Sequence, residues 1–444
     1  MSDVPVASSG AGRRLGYLDL FRVREFRPVF LAHLLSLLGV VVSEISLTVL
    51  VYELTSSPFL SALTFGLGLL PYLIGGTLLS GIADRYPARR VLVVCDLICA
   101  ACVAVMVLPS TPVAALLVLR CLVAAVAPVF AGTRMATLAD ILGDGDLYVL
   151  GRSLLRIVSQ SSILAGFGVG GVLLVVLSPR QAITITVGTF LCSALLLRFG
   201  TKRRPARIDT KEGGSSLLRD SLDGARLVFR NRLLRAQILL FWMPAFFVVT
   251  PEALSTAYAD QIGAGPAALG LIMCGMPIGH IAAELYVGSA LSPGARARLV
   301  FPAVSLGLVP LVAYLTVPGL VWTVVLQILV GMSGAYILGL DQWFVDALPE
   351  ELRGRAMTLQ SAGLMTIQGL GMTLAGLAAE FAPVHRVVAG AGVVGTLCTL
   401  LLVAELRRAR REQGAGPVRP RKAAPVRIRK TEPRDKADQH MTDR

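Results

Sequence analysis

Ionisable residues are scarce in the long apolar stretches of this 444-residue chain, and three of them could carry charge or protons. Glu44 and Glu252 are carboxylic acids inside such stretches, and Arg120 is a cation inside another. A charged side chain at the centre of a bilayer costs about 2.5–3.5 kcal/mol on insertion scales, so membrane-buried charges usually have a function. A carboxyl group removed from water can bind and release a proton, and a nearby arginine can keep it ionised.

Glu44 and Arg120 are predicted to lie at matching depths. Glu44 is nine residues before Glu53, where the first apolar segment ends, and Arg120 is eight residues after Pro112, where the fourth begins. At about 1.5 Å per residue, these separations are roughly 13 Å and 12 Å. The alternatives are a structural carboxyl bonded to Ser or Thr and an arginine that only packs or extends toward the membrane surface.

An internal repeat relates the two halves of the chain. A basic loop recurs 207 residues later, and at this offset Arg120 corresponds to Gln327. An offset of 208, taken from matching prolines, carries Glu44 onto Glu252. Glu44 would face the cation Arg120, which keeps a carboxyl group ionised, whereas Glu252 would face the neutral amide Gln327. We therefore predict that Glu252 is the protonation site. Glu44 and Arg120 would then form a structural or substrate-sensing pair.

Other ionisable residues of the apolar segments are secondary candidates for the same chemistry. These are Asp96, His280, Glu284 and Asp341. His280 and Glu284 lie one helical turn apart, and we favour a satisfied pair between helices over a proton relay.

The composition indicates a membrane protein with many spans. The chain is 55% hydrophobic and 16% charged, with a mean hydropathy of +0.70, whereas soluble domains carry about 25% charged residues. Twelve apolar segments are long enough to cross a bilayer. They are residues 28–53, 60–83, 91–109, 112–138, 151–178, 181–199, 233–260, 266–291, 297–316, 318–345, 354–382 and 385–405.

The distribution of basic residues predicts the topology. Arg and Lys concentrate in alternate loops and in both tails, which places both termini in the cytoplasm of a plasma-membrane protein. This asymmetry explains the net charge of +14 without a nucleic-acid partner. We predict a cytoplasmic segment (1–27), a six-helix bundle (28–199), a cytoplasmic linker (200–232), a second six-helix bundle (233–406) and a disordered basic tail (407–444).

Neither the cysteines nor the histidines form a pattern typical of a metal site or an enzyme. All seven cysteines lie in apolar segments, and none has ligand spacing to a histidine. We therefore expect no disulfide framework, metal or cofactor. A Ser-His-Asp set is also absent from the sequence.

Short motifs in and between the spans resemble those of a known family. Residues 80–90 read Ser-Gly-Ile-Ala-Asp-Arg-Tyr-Pro-Ala-Arg-Arg, similar to the loop between helices 2 and 3 of major facilitator transporters, roughly G-x-L-A-D-R-x-G-R-K. Residues 133–140 and 348–355 resemble motifs of the macrolide- and siderophore-exporter branch. The resemblance implies an all-α membrane fold of twelve helices in two six-helix pseudo-repeats, with a substrate site near the midplane between the halves.

The same resemblance implies roles for several residues. Asp84, Arg85 and Arg89 would form a gating loop, with Asp84 facing the start of helix 11, where a helix N-terminus attracts negative charge. A plain positive-inside loop is the alternative. Helices 1, 4, 7 and 10 would line a central cavity, so Glu44 and Arg120 would approach each other across it.

Glycines in the fifth segment resemble the antiporter signature G-P-x-x-G-G, with Phe in place of Pro. They are Gly166, Gly168, Gly170 and Gly171. Small residues let helices approach closely and slide, and close packing alone is the alternative.

Aromatic residues cluster in the seventh and tenth segments and are predicted to line the cavity. They are Trp242, Phe246, Tyr258 and Tyr336. An aromatic cavity suits a bulky, partly apolar solute, whereas packing against lipid is the alternative.

These observations favour a monomeric, proton-driven exporter of a hydrophobic or amphipathic small molecule, such as an antibiotic-like natural product. Import of a small nutrient is the alternative within transport, although the chain lacks a dense set of polar cavity residues. A membrane sensor or an enzyme without visible catalytic motifs is the alternative of another class.

Overall fold

The computed structural model describes residues 17–71, 86–143, 146–204, 226, 228–348 and 350–412. All regular structure within these ranges is helical. The long helices are α1 (Phe26–Thr55), α2 (Pro58–Leu69), α3 (Ala88–Val107), α4 (Val113–Leu142), α5 (Asp146–Val176), α6 (Pro179–Gly200), α7 (Arg232–Val248), α8 (Pro266–Ala290), α9 (Pro293–Leu306), α10 (Leu320–Ser333), α11 (Glu350–Ala379) and α12 (Val384–Glu412).

Three of these helices continue, after a short break, as extensions in the second half of the chain. The α7 extension comprises Thr250–Ala253 and Ser255–Gln261, the α9 extension is the 3-10 helix Val309–Thr316, and the α10 extension is Tyr336–Ala347. Pro251 contributes to the break after α7, because it lacks the N–H that would bond the carbonyl four residues earlier. A four-residue helix, Tyr17–Leu20, precedes α1.

Within the described residues, 11 helical segments are long and apolar enough to cross a membrane. The protein is therefore a multi-pass membrane protein. The predicted second span, 60–83, overlaps the 12-residue helix α2, and residues 72–83 of it lie outside the described part of the chain. The total of twelve spans thus stays a prediction.

The last helix is longer than the sequence predicted. We expected a disordered tail from residue 407, but α12 continues to Glu412. Leu406 and Ala409 are buried, and the Arg410 guanidinium lies 3.8 Å from the centroid of the Trp343 ring. This extra helix length is stabilised because its apolar face and its arginines both find partners.

The two halves share one packing pattern. In the first half, α1 lies against α5 and α6, and α3 lies against α4 and α6. In the second half, α7 lies against α11 and α12, and the α9 extension lies against α12. Between the halves, α2 contacts α11 and α5 contacts α8. In the repeat, α2 corresponds to α8 and α5 corresponds to α11, so these two contacts are equivalent. The internal repeat of the sequence is therefore also present in the helix packing.

Contacts near the helix ends show how the halves are oriented. Arg232, at the start of α7, pairs with Glu405 and Glu412 near the end of α12, at 2.6 and 2.7 Å. Tyr52, near the end of α1, donates a hydrogen bond to Asp260, near the end of the α7 extension, at 3.1 Å. The start of α1 and the end of α12 therefore lie at the same end of the molecule. We call this the terminal end, and the opposite end the distal end.

Candidate functional site

The Arg120 side chain of α4 reaches the Glu44 side chain of α1. Arg120 Nη2 and Glu44 Oε1 form an ion pair. The two side chains are 9% and 19% exposed, so water screens this pair poorly. The Arg120 Nε atom is buried and has no hydrogen-bond partner within the described part of the chain.

Gly68, in the last turn of α2, lies directly over this ion pair. A Cβ atom at this position would come within 2.9 Å of both Arg120 Cζ and Glu44 Oε1. The guanidinium thus occupies space that any larger residue would fill. Sequence reasoning missed Gly68, because a glycine in an apolar helix has the same appearance whether it packs against lipid, helix or charge.

Glu252 lies in the α7 extension and is half-buried. It makes no hydrogen bond or ion pair with any residue that the structure describes. It lies close enough to Glu44 for the two carboxyl groups to interact electrostatically. Glu44, Arg120 and Glu252 therefore bring two acids and one cation into one region between the halves.

Gln327, the repeat counterpart of Arg120, does not join this group. It is 1% exposed, and its Cβ packs against Gly275 of α8. No hydrogen bond links it to Glu252, and its Oε1 atom has no partner among the residues described. The predicted contact between Glu252 and this amide is thus not formed.

The family model of the Major Facilitator Superfamily matches residues 29–258 and 245–434. The chain belongs to the Major Facilitator Superfamily. It is 27% identical over 339 residues to the multidrug efflux pump Tap of Mycolicibacterium fortuitum, covering 72% of this chain and 80% of that protein.

Solved structures of other transporters share the fold. A mutant of the nucleoside transporter NupG aligns with a TM-score of 0.66 at 16% identity, covering 86% of this chain and 99% of that one. A POT family transporter in complex with a thioalcohol-conjugated peptide aligns with a TM-score of 0.67 at 10% identity, covering 86% and 96%. The resemblance inferred from the motifs is confirmed, and the protein is a membrane transporter of this superfamily.

A second polar group, buried inside the first half of the transporter, includes one residue that sequence reasoning missed. Asp96 is 1% exposed and accepts a hydrogen bond from Ser193 at 2.6 Å. Nearby, the Arg134 guanidinium bonds His33 Nδ1. A guanidinium can only donate, so His33 accepts at Nδ1 and donates from Nε2 to Ser159, at 3.1 Å. The only sequence signal was that His33 lies inside the first apolar segment.

Only one member of the predicted gating loop can be placed. Arg89 donates hydrogen bonds to the carbonyl oxygens of Arg198 and Thr201, at 3.3 and 3.1 Å, and so holds the end of α6. Asp84 and Arg85 lie outside the described residues. The gating role stays a prediction.

The remaining secondary candidates make local contacts. His280 and Glu284 pair with each other one turn apart in α8, with 3.5 Å between His280 Nε2 and Glu284 Oε1. Their side chains are 28% and 30% exposed. Asp341 of the α10 extension accepts a hydrogen bond from Gln360 of α11, at 3.4 Å.

The α5 glycines face two different neighbours. Gly166 and Gly170 lie against side chains of α1, whereas Gly168 and Gly171 face α8. A Cβ atom on Gly171 would lie 2.6 Å from the Cα atom of Gly270. The backbones of α5 and α8 therefore cross here at a separation that only glycine allows on both helices.

The predicted cavity aromatics divide into two groups. Trp242 and Phe246 are half-buried, and Trp242 donates a hydrogen bond to a carbonyl of α11, at 3.1 Å. Tyr258 is 2% exposed, and its hydroxyl donates to the Pro318 carbonyl at 2.8 Å. Tyr336 is 6% exposed. The prediction needs correction for both tyrosines, because they pack inside the second half instead of lining an open cavity.

Polar contacts that the sequence did not reveal join the halves at the distal end. Ser57 caps α2 by accepting the Leu60 N–H and donates to Glu380, which follows α11. Glu380 also accepts the Phe59 N–H at 3.0 Å. A carboxylate at a helix N-terminus is favoured by the helix dipole. With the bond from Tyr52 to Asp260, these contacts form what we call the distal latch.

Proposed function

We propose that this transporter exports a hydrophobic or amphipathic small molecule across the plasma membrane in exchange for protons. The observation that carries the proposal is the position of Glu252. It is a half-buried acid with no partner among the described residues, within electrostatic range of a second acid that already has a cation. Relatedness to a protein named as a multidrug efflux pump supports the direction of transport.

Charge balance at the site explains how exchange would be coupled. Glu44 and Arg120 neutralise each other, so an ionised Glu252 leaves one net negative charge in a region with little water. Such a charge is costly. A proton on Glu252 or a positively charged group on the substrate can each remove it. Binding of the proton therefore weakens binding of the substrate, and binding of the substrate weakens binding of the proton. Antiport requires this competition.

The distal latch suggests which side the site faces in this conformation. The positive-inside rule assigns the terminal end to the cytoplasm, so the latch would close the outer side. In this state Glu252 would release its proton inward and the substrate would enter from the cytoplasm. Opening the latch would then expose the substrate to the outside, where a new proton on Glu252 favours its release.

The test is transport by the purified protein in liposomes with an imposed pH gradient. Wild-type protein should move a lipophilic cation such as ethidium against its concentration gradient. E252Q, which mimics the protonated acid, should bind ethidium more weakly and lose gradient-driven transport at least about 10-fold. Glu53, an exposed acid at the end of α1, provides the control variant E53Q, which should transport normally.

Two results would count against the proposal. Gradient-driven transport by E252Q with the pH dependence of wild type would remove Glu252 as the proton site. Uptake of a nucleoside or a peptide, with no movement of any lipophilic cation, would favour the importer.

A further inference from the structure

A cleft of about 560 Å³ lies at the terminal end, between the start of α3 and the end of α6. Five arginines line it: Arg89, Arg90, Arg198, Arg203 and Arg204. Arg90 lies in the first turn of α3 and Arg198 in the last turn of α6. Because both helices are candidate spans, the cleft lies at the level where the membrane ends.

Among the described residues, most of the positive charge in this cleft has no acidic partner. Arg204 forms two hydrogen bonds with the Glu25 carboxylate, at 2.6 and 2.8 Å. The guanidinium groups of Arg90, Arg198 and Arg203 have no acidic partner within the ranges that the structure describes, and all three act repulsively on Arg89. A bound anion would relieve this repulsion.

An apolar strip leads from the cleft along α3 toward the membrane interior. Val94 lines the cleft and is 51% exposed. Leu97 and Ile98, three and four residues further on, are 46% and 42% exposed. This spacing places all three side chains on one helix face. The surface therefore offers positive charge at the membrane boundary and an apolar path immediately below it.

We propose that this cleft binds an anionic phospholipid. The arginines receive the headgroup phosphate, and an acyl chain lies along Val94, Leu97 and Ile98. The planar guanidinium fork matches phosphate oxygens, and basic pockets between transmembrane helices on the cytoplasmic side are suited to lipid headgroups. The proposal does not depend on the direction of transport or on its coupling to protons.

Native mass spectrometry of the full chain can test the site, with 1-palmitoyl-2-oleoyl phosphatidylglycerol or the matching phosphatidylcholine added at equal ratios. Wild-type protein should retain phosphatidylglycerol in preference to phosphatidylcholine. The variant R90Q/R203Q should bind phosphatidylglycerol about 25-fold more weakly, because each basic residue near an anionic surface contributes about 5-fold. Arg298, an exposed arginine at the start of α9, provides the control R298Q, which should bind as wild type does.

Three results would overturn the proposal. These are equal retention of the two lipids, unchanged binding by R90Q/R203Q, and complete displacement of phosphatidylglycerol by equimolar glycerol 3-phosphate, which would show that the cleft recognises a free phosphate. The melting temperature without added lipid verifies folding. Should the double variant unfold, R90Q alone, at an exposed position, must still show the 5-fold loss.

Discussion

Replacing Gly68 by alanine should break the buried ion pair without removing either charge. The new Cβ atom would lie 2.9 Å from both Arg120 Cζ and Glu44 Oε1, well inside van der Waals contact. The α2 backbone carries the new atom, so the flexible guanidinium must move. Since the Arg120 side chain is 9% exposed, it has little water to move into.

Two opposing terms set the size of the effect. Exchanging glycine for alanine within a helix stabilises it by about 0.5–1 kcal/mol. Separating a buried ion pair and leaving its charges uncompensated costs about 3–5 kcal/mol. We therefore expect G68A to lower the free energy of unfolding by about 2–4 kcal/mol.

Equilibrium unfolding in mixed micelles measures this difference. The control is G188A, because no atom lies within 4 Å of a Cβ built on Gly188 of α6. That variant should be as stable as wild type or slightly more so. In an R120M background Glu44 already lacks its cation, so no ion pair is left for the new Cβ atom to separate, and the penalty of G68A should largely disappear. A penalty of equal size in both backgrounds, or no penalty at all, would refute the reasoning.

Three further predictions concern the helix contacts and the terminal end. E380Q weakens a charged helix cap by about 1 kcal/mol, so the ratio of molecules with a closed distal end to those with an open one should fall about 5-fold in spin-label distance measurements. An unchanged distribution would contradict the latch. G171A should lower the melting temperature, because its new Cβ atom would collide with the backbone of Gly270 in α8. G168A should be tolerated, because the atom nearest to its Cβ is a cysteine sulfur at 3.7 Å. Equal melting temperatures of the two variants would argue against the close crossing of α5 and α8. Burial raises the pKa of Glu25, but hydrogen bonds from the adjacent guanidinium and a backbone amide outweigh it and lower the pKa below 4.5. Its stabilising contribution is therefore present above pH 4.5 and lost as the pH falls through the lowered pKa, so E25Q should remove this acid-dependent part of the unfolding curve.

Part of the candidate site could be predicted from the sequence, and the part that could not has a physical reason. Glu44 and Arg120 could be matched because depth along a helix follows from the rise per residue. Gln327 and Tyr258 were placed by sequence offset and helix membership, which preserve depth but not direction. One residue of shift rotates a side chain by about 100° around the helix axis, enough to turn it from a cavity to a neighbouring helix.

The order of the helices, their approximate ends and the repeat were determined by the sequence alone. Hydropathy and the rise per residue specify them, because each apolar segment interacts with the membrane largely on its own. The distal latch, the glycine over the ion pair and the cleft of arginines belong to the folded molecule. Each joins residues from different helices, and their contact depends on how those helices rotate and cross, which close packing of whole surfaces determines.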